Sequence, residues 1–477
     1  MIRWCLVLQL LWIPFLWSQY QVGQFNDDAA YLALARSLSQ GLPYQNLFEM
    51  EAPAATRFPP GYPLALLPLQ LFFPQQYWMP RILSCIFALA AVRVFSQEDK
   101  TAPWLLAANP FWALCGTMAM SEALFTLLTL LYLQRLQRPA TRRQWLILGM
   151  AAALCYYVRA VGLALVPATL LWMRSRPPSH LAAYLLGFSL AAGPHLLLGA
   201  GYSSEFTGFE ILLNLQTIPI HYGAVLLGLP GFDLSPLFLG LFLLALLGLV
   251  RRPELSLNAS WTLCYLLVMV CWPYADPRFA IPILPCLLLG LCRLLPRPFL
   301  ASLFFAQIAL NLRLDPPQRI DLPAFPAAAR VASTSMLPGL YLNLPSYTQP
   351  PIDLLEKEWE WDQELLDHHI DTILLHETEK ELLPVFRARY RQLTPNLFAY
   401  RPHPRAILLH TAARRALQEK RYRSAQWLFT QALRHDPHKS TLHSGLAVAL
   451  NELHQPEAAA QAARQALQLD PYNLEAL

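Results

Sequence analysis

Charge is scarce in this chain. Asp, Glu, Lys and Arg make up only 14% of its 477 residues, while 55% are hydrophobic, a balance that excludes an ordinary soluble protein. Acid is scarcer still at the start: residues 1–48 hold Asp27 and Asp28 and no other Asp or Glu. All eight cysteines lie between Cys5 and Cys292, inside or beside apolar blocks, and none forms a Cys-x-x-Cys pair. A disulfide framework and a structural zinc site are therefore excluded, and no metal-ligand set is evident. No cysteine follows Cys292, so the tail is compatible with an oxidising compartment. The net charge of +5 does not point to nucleic acid, because the arginines gather at the ends of apolar blocks, where they report membrane topology.

What is present is apolar sequence in blocks of membrane length before about residue 312, followed by a polar tail. The blocks fall near 2–18, 78–95, 102–117, 122–134, 144–158, 160–173, 181–199, 234–250, 259–274, 278–293 and 299–312, which predicts about eleven spans. The first has Arg3 ahead of it and no small-residue cleavage site before Gln19, so it reads as a retained anchor. Gly61–Phe73 is too short to cross alone and is expected to be interfacial or re-entrant.

Arginines at Arg135, Arg138, Arg142 and Arg143, at Arg174 and Arg176, at Arg251 and Arg252, and at Arg293 and Arg297 fall on one side if the spans alternate. That side is cytoplasmic. The loops 19–60, 117–122, 157–161, 200–233 and 274–278, and everything after 312, are then expected outside. Asp27, Asp28, Arg57, Glu122, Arg159, His221, Asp276 and Arg278 share this outer face. Three of these are arginines on the side the rule disfavours. Placing Arg at membrane depth costs roughly 2.5–3.5 kcal/mol, so such residues usually have a partner or a task.

Four segments carry a family resemblance. Asp27-Asp28-Ala29-Ala30-Tyr31, with Gly41 and Pro59-Pro60-Gly61-Tyr62-Pro63-Leu64, resembles the first outer loop of GT-C glycosyltransferases. Asn109-Pro110 with Met120-Ser121-Glu122-Ala123-Leu124-Phe125 resembles the second. Arg159-Ala160-Val161-Gly162-Leu163 and Arg278-Phe279-Ala280-Ile281-Pro282 resemble two later signatures. The likeness covers about residues 1–312 and is to the bacterial branch that includes the lipid A aminoarabinose transferase and the protein O-mannosyltransferase-like enzymes. It implies a multi-pass enzyme of the bacterial inner membrane. Such an enzyme takes a monosaccharide from a polyprenyl-phosphate donor and passes it to a hydroxyl of a glycan, lipid or protein acceptor outside the membrane. Some members use a divalent metal and others do not, so the cofactor is left open. The family pair is Asp-Glu and here it is Asp-Asp, which leaves Asp28 a rival to Asp27.

The chemistry suits these residue types. A carboxylate can take the acceptor proton as general base, and burial beside a like charge raises its pKa; Asp27 is assigned this role, with Asp28 tuning or orienting it. Asn26, Asp27 and Asp28 are also suited to capping a helix that starts at Ala29. Arginine forks onto phosphate oxygens and stays charged, which makes Arg57, Arg159 and Arg278 candidates for the donor phosphate, though all three could instead snorkel to the interface. Glu122 is a further candidate acid, or a first-turn residue favoured by the helix dipole. Tyr31 and His221 are secondary candidates, His221 in a long outer loop with Asn214, Tyr222 and Asp233. Tyr31, Ala35, Leu38 and Leu42 on one side, with Arg36, Ser37 and Gln40 on another, suggest a helix lying in the interface.

The tail divides again. Residues 313–404 read as a Pro-rich connector and a small α/β domain, with strands at 339–344, 372–376 and 397–400 and helices at 352–369 and 379–390; His368 and His369 read as surface residues. In 405–477, Ala425, Phe429, Ala432 and Pro437 recur 34 positions later as Ala459, Ala463, Ala466 and Pro471. This resembles tetratricopeptide repeats, which implies an all-α pair and a protein partner on its concave face. Two other readings stay open: an O-antigen-type oligosaccharide ligase or polymerase, in which His221 would be essential, and a non-catalytic scaffold presenting the repeats.

Overall fold

The computed structural model describes residues 2–17, 20–23, 25, 27–48, 54–55, 58–74, 76–137, 141–174, 176–197, 210–229, 234–251, 257–272, 276–311, 331–333, 346–348, 365, 372–374, 391–394, 397–399, 404–471 and 473. The chain forms two compact units: Met1–Gln45 with Ala54–Arg319, and Asn46–Pro53 with Ile320–Leu477.

The first unit is a helical bundle. Its helices are α1 (Ile2–Trp17), α2 (Asp27–Ser39), α3 (Gly61–Phe72), α4 (Trp78–Phe95), α5 (Ala102–Ala108), α6 (Pro110–Gly116), α7 (Glu122–Leu136) and α8 (Arg142–Val158). They are followed by α9 (Leu165–Met173), α10 (Pro178–Leu197), α11 (Glu210–Leu227), α12 (Ser235–Val250), α13 (Leu257–Val270), α14 (Leu284–Leu294) and α15 (Arg297–Asn311). Two 3-10 turns, Ala160–Ala164 and Pro277–Ile283, lead into α9 and α14. Helical structure stands at each of the expected apolar blocks, with 102–117 divided between α5 and α6. Trp78–Phe95 and Pro277–Leu294 are long and apolar enough to cross a membrane, and five shorter helices are strongly apolar.

Close backbone crossings hold the bundle. A Cβ on Gly149 of α8 would come within 2.0 Å of the Tyr184 carbonyl of α10, and one on Gly187 within 2.1 Å of the Leu146 carbonyl. Gly248 and Gly290 serve α12 and α14 in the same way, at 2.0 Å from the Gly290 carbonyl and 2.1 Å from the Ala245 carbonyl. Small residues let helix backbones meet where surrounding lipid gives no hydrophobic drive to association.

Three expectations change. The 102–117 block is not one helix. Pro110 has no N–H to continue α5, and Asn109, with extended ψ of 117°, accepts from Trp112 N and starts α6 afresh. The 200–233 stretch is not simply an outer loop: α11 packs among the bundle helices. Its Asn214 Nδ2 donates to the carbonyls of Val270 and Trp272 at the end of α13, at 3.1 and 2.6 Å. Its far end is gripped by Asn109 Nδ2 on Val225 O and Gln307 Nε2 on Leu226 O, at 2.8 and 2.9 Å. Finally, α2 does not expose a polar face along its first two turns; every residue from Asp28 to Ala35 is buried. Four alanines in that run let neighbours approach on all sides. Gly41, at φ +69°, follows its end.

The second unit contains a five-stranded sheet and a helical array. The strands are β1 (Val331–Ser333), β2 (Ser346–Thr348), β3 (Thr372–Leu374), β4 (Arg391–Thr394) and β5 (Leu397–Ala399), in the order β2-β1-β3-β5-β4. β1 is parallel to β2 and β3, while β5 is antiparallel to β3 and β4. β3 and β5 fall on expected strands; β1, β2 and β4 were not anticipated. The expected strand at 339–344, nearly all of the helix expected at 352–369, and the whole of that at 379–390, with His368 and His369, lie outside the described residues.

The array is α16 (Pro404–Gln418), α17 (Tyr422–His435), α18 (Ser440–Glu452) and α19 (Pro456–Leu469). Ala425, Phe429 and Ala432 bury completely against Ala413, Ala416, Leu442 and Ala449, and Ala459 and Ala462 pack on Ala447 and Leu450. The 34-residue recurrence is thus the helix-to-helix contact of a repeated hairpin.

Candidate active site

The start of α2 sits where two later turns of the bundle converge. α2 begins at Asp27 and Asp28, whose charge suits the first turn of a helix. The turn after α8 supplies Arg159, and the 3-10 turn before α14 supplies Asp276 and Arg278. Asp27, Arg159, Asp276 and Arg278, together with Phe25, Tyr31, Phe58, Trp272 and Phe279, line one cavity of about 320 Å³, the size of a small-molecule site.

The two aspartates part company. Asp27 lines the cavity with its side chain one-third exposed, and its Oδ2 lies 3.7 Å from Arg278 Nη2. Asp28 is fully buried and turned away from it. Its Oδ2 accepts from Tyr20 Oη and from Gly23 N at 2.6 Å, and its Oδ1 accepts from Ala29 N at 2.9 Å. Burial pushes the Asp28 carboxyl up to about 6, against the pull of those three donors. Burial and the Asp28 charge push the Tyr20 hydroxyl well above its ordinary value, so it keeps its proton and donates it.

Each arginine is held by its own carboxylate. Arg278 Nε meets Asp276 Oδ2 at 2.7 Å, while Asp276 Oδ1 accepts from Arg278 N at 2.8 Å and caps the turn. The Arg278 guanidinium also lies over the Phe25 ring, 4.8 Å from its centroid. Arg159 Nη1 meets Glu122 Oε1 at 2.8 Å and Ser121 Oγ at 3.0 Å. Burial opposes the Arg159 charge, and Glu122 offsets it, so the guanidinium is held above its ordinary value. Tyr31 Oη shares a hydrogen bond with the same Ser121 hydroxyl at 3.1 Å, and its ring packs edge-on to Phe58 and Tyr62.

The structure therefore brings Asp27, Tyr31, Arg159 and Arg278 to one cavity wall. Glu122 lies behind Arg159, 1% exposed and off the wall. His221 lies on α11 and is not on the cavity wall. Arg57 lies outside the described residues. Asp276, Tyr20 and Ser121 were given no role by sequence reasoning. The two-residue spacing of Asp276 and Arg278 was the signal available for the first; nothing local marks the other two. Among the described residues no group of three His, Cys, Asp or Glu side chains is placed to hold a metal ion.

No curated protein matches this chain. Among solved structures, the chain is similar to ArnT from Cupriavidus metallidurans bound to undecaprenyl phosphate, at 15% identity and a TM-score of 0.43, over 98% of this chain and 75% of that one. It is similar also to apo ArnT from the same organism, at 14% identity and a TM-score of 0.48, over 82% of this chain and 97% of that one. A family model described as tetratricopeptide repeat matches residues 416–471. The recurrence in the sequence, the packed helix pairs and this match agree: residues 416–471 are a tetratricopeptide repeat segment.

Proposed function

We propose that this chain is a membrane glycosyltransferase of the GT-C type that moves a monosaccharide from a polyprenyl-phosphate donor to an acceptor hydroxyl. The observation that carries the reading is the meeting of a loosely held carboxylate, Asp27, with two guanidinium groups, Arg159 and Arg278, on one aromatic-walled cavity of about 320 Å³, where the second carboxylate, Asp276, is taken up by Arg278. The donor class is that of the ligand in the ArnT structure; the case for it here rests on these side chains.

Asp27 accepts the acceptor's hydroxyl proton. The acceptor oxygen bonds to the anomeric carbon as the bond from that carbon to the phosphate oxygen breaks. The lipid phosphate leaves with the electron pair, and Arg159 and Arg278 stabilise its charge. Asp27 is the loosest of the acids on these arginines, at 3.7 Å against 2.7 Å for Asp276 and 2.8 Å for Glu122. A phosphate arriving at Arg278 thus displaces Asp27 first and leaves that carboxylate to the acceptor. The aromatic rings give the sugar flat apolar faces to stack on. The carbohydrate chemistry is proposed for the outer face of a bacterial inner membrane, with the repeats taking a protein partner.

Purified protein with a panel of radiolabelled polyprenyl-phosphate sugars tests this. Asp27→Asn is expected to lower transfer by about 10²–10⁴-fold, the usual contribution of a general base, with donor retention intact. Transfer by Asp27→Asn equal to wild type would remove the assignment.

A further inference from the structure

A second cavity, of about 400 Å³, lies between α7 and α8. α7 starts at Glu122, just behind the catalytic cavity, and α8 ends at Arg159 on its wall. By helix rise, Arg135 and Arg142 therefore lie roughly 20–25 Å from that site, at the other end of the bundle. The groove walls are apolar, built from Leu128, Leu131, Ile147, Leu148 and Leu154. Leu131, Ile147 and Leu154 are exposed. Buried Tyr132 and Cys155 also line the groove, and the Tyr132 hydroxyl is occupied by Thr169 Oγ1 at 2.6 Å and Tyr184 Oη at 3.1 Å.

One end of this groove is different. Arg135 and Gln144 line it. Arg135 is exposed, and no carboxylate pairs with it among the described residues. The first turn of α8 carries Arg142 and Arg143 and no acid, the reverse of what the helix dipole favours. An anion at this end would meet the Arg135 guanidinium, which lines the groove, and the basic first turn of α8, whose start is closed by the Thr141–Gln144 capping box. An apolar channel that opens on exposed apolar helix faces, with cationic groups at one end only, matches an amphiphile with a hydrocarbon tail and an anionic head.

We propose that the α7–α8 groove is a binding site for an anionic glycerophospholipid, its acyl chain along Leu128–Leu131 and Ile147–Leu154 and its phosphate against Arg135 and the start of α8. The bilayer is the source of the ligand, so the site rests on the membrane reading of the chain and not on its catalytic assignment. The lipid fills the seam between the two helices that carry Glu122 and Arg159, and so braces that ion pair from the opposite end of the bundle.

Native mass spectrometry of the full-length protein, purified in detergent and exchanged with phosphatidylglycerol, phosphatidylcholine or a polyprenyl phosphate, tests the site. Wild type is expected to retain phosphatidylglycerol in preference to phosphatidylcholine. Arg135→Gln, at an exposed helix end that leaves the fold intact, weakens that retention roughly tenfold or more, the worth of one charge-assisted contact. Ala151→Trp, which fills the channel, abolishes it. Arg174→Gln, an exposed arginine at the end of α9, retains the lipid, and so does Asp27→Asn, which separates this site from the catalytic one. Equal retention of phosphatidylglycerol by wild type and Arg135→Gln, or of the two phospholipids by wild type, overturns the proposal. Loss of polyprenyl phosphate, rather than phosphatidylglycerol, on Ala151→Trp overturns it as well.

Discussion

Removing the Tyr20 hydroxyl tests what holds the buried Asp28 carboxyl, next in the chain to the proposed base Asp27. Tyr20 donates to the buried Asp28 carboxylate, and its oxygen also accepts from Ala119 N at 3.4 Å, so it ties the start of α2 to the loop before α7. Tyr20→Phe keeps the ring, which stacks on Phe25 and faces Arg81. The hydrogen bond lost is one to a charged group, worth about 1.5–3 kcal/mol. At 1.36 kcal/mol per unit this is roughly one to two pKa units. Asp28, already pushed up to about 6 by burial, therefore moves to roughly 7–8 in the variant.

The sign of the stability effect follows from linkage. A carboxyl whose folded pKa lies above its unfolded value contributes stability that is complete below the unfolded pKa and is lost as pH rises through the folded one. In wild type that loss runs from 3.8 to about 6 and is finished by neutrality. In Tyr20→Phe it continues to roughly pH 8, so the variant falls a further 1.5–3 kcal/mol or so behind as pH rises. Thermal unfolding in detergent from about pH 5.5 to about pH 8.5 reads this directly. The gap between the two proteins is expected to widen with pH across that range. Parallel curves would show that Tyr20 does not govern the Asp28 proton and would refute this reasoning.

Two further outcomes follow from named contacts. Glu122→Ala leaves the Arg159 guanidinium buried without its carboxylate, which is expected to cost about 3–5 kcal/mol in thermal unfolding; a loss below about 1 kcal/mol is what an exposed pair gives and would refute the burial argument. In the repeats, His410 is buried and accepts from Arg414 Nε at 3.2 Å; burial first, then Arg414 and Lys439, pushes its pKa well below the ordinary value. The folded form is neutral, so its contribution is complete above about pH 6.5 and falls by about 1.4 kcal/mol per unit below it. Hydrogen exchange of α16 and α17 in the full chain, corrected for the intrinsic rate, reads the slope, and an equal slope in His410→Gln would sink the assignment.

The sequence by itself determined the elements whose signals are local. Apolar blocks put helices where α4, α7, α8 and α14 stand, since a run of hydrophobic residues specifies a buried or lipid-facing helix whatever surrounds it. The 34-residue recurrence specified the repeat, because each hairpin packs only on its neighbour. The motifs singled out Asp27, Tyr31, Arg159 and Arg278, but with them Asp28, Glu122 and His221, which the fold keeps off the cavity wall. What it could not set was depth and facing. α11 read as loop because its polar residues, Asn214 and His221, mask a helix whose partners, Asn109 and Gln307, lie about a hundred positions away in the chain.

The division of labour between Asp27 and Asp28 was decided only by tertiary structure. Adjacent carboxylates on a helix point about 100° apart, and nothing local says which one meets Arg278 and which meets Tyr20. Asp276 likewise became part of the site only once the turn before α14 was set beside α2. Residue type and spacing fix what a side chain can do; contacts across dozens or hundreds of positions fix what it faces, and those exist only in the folded bundle.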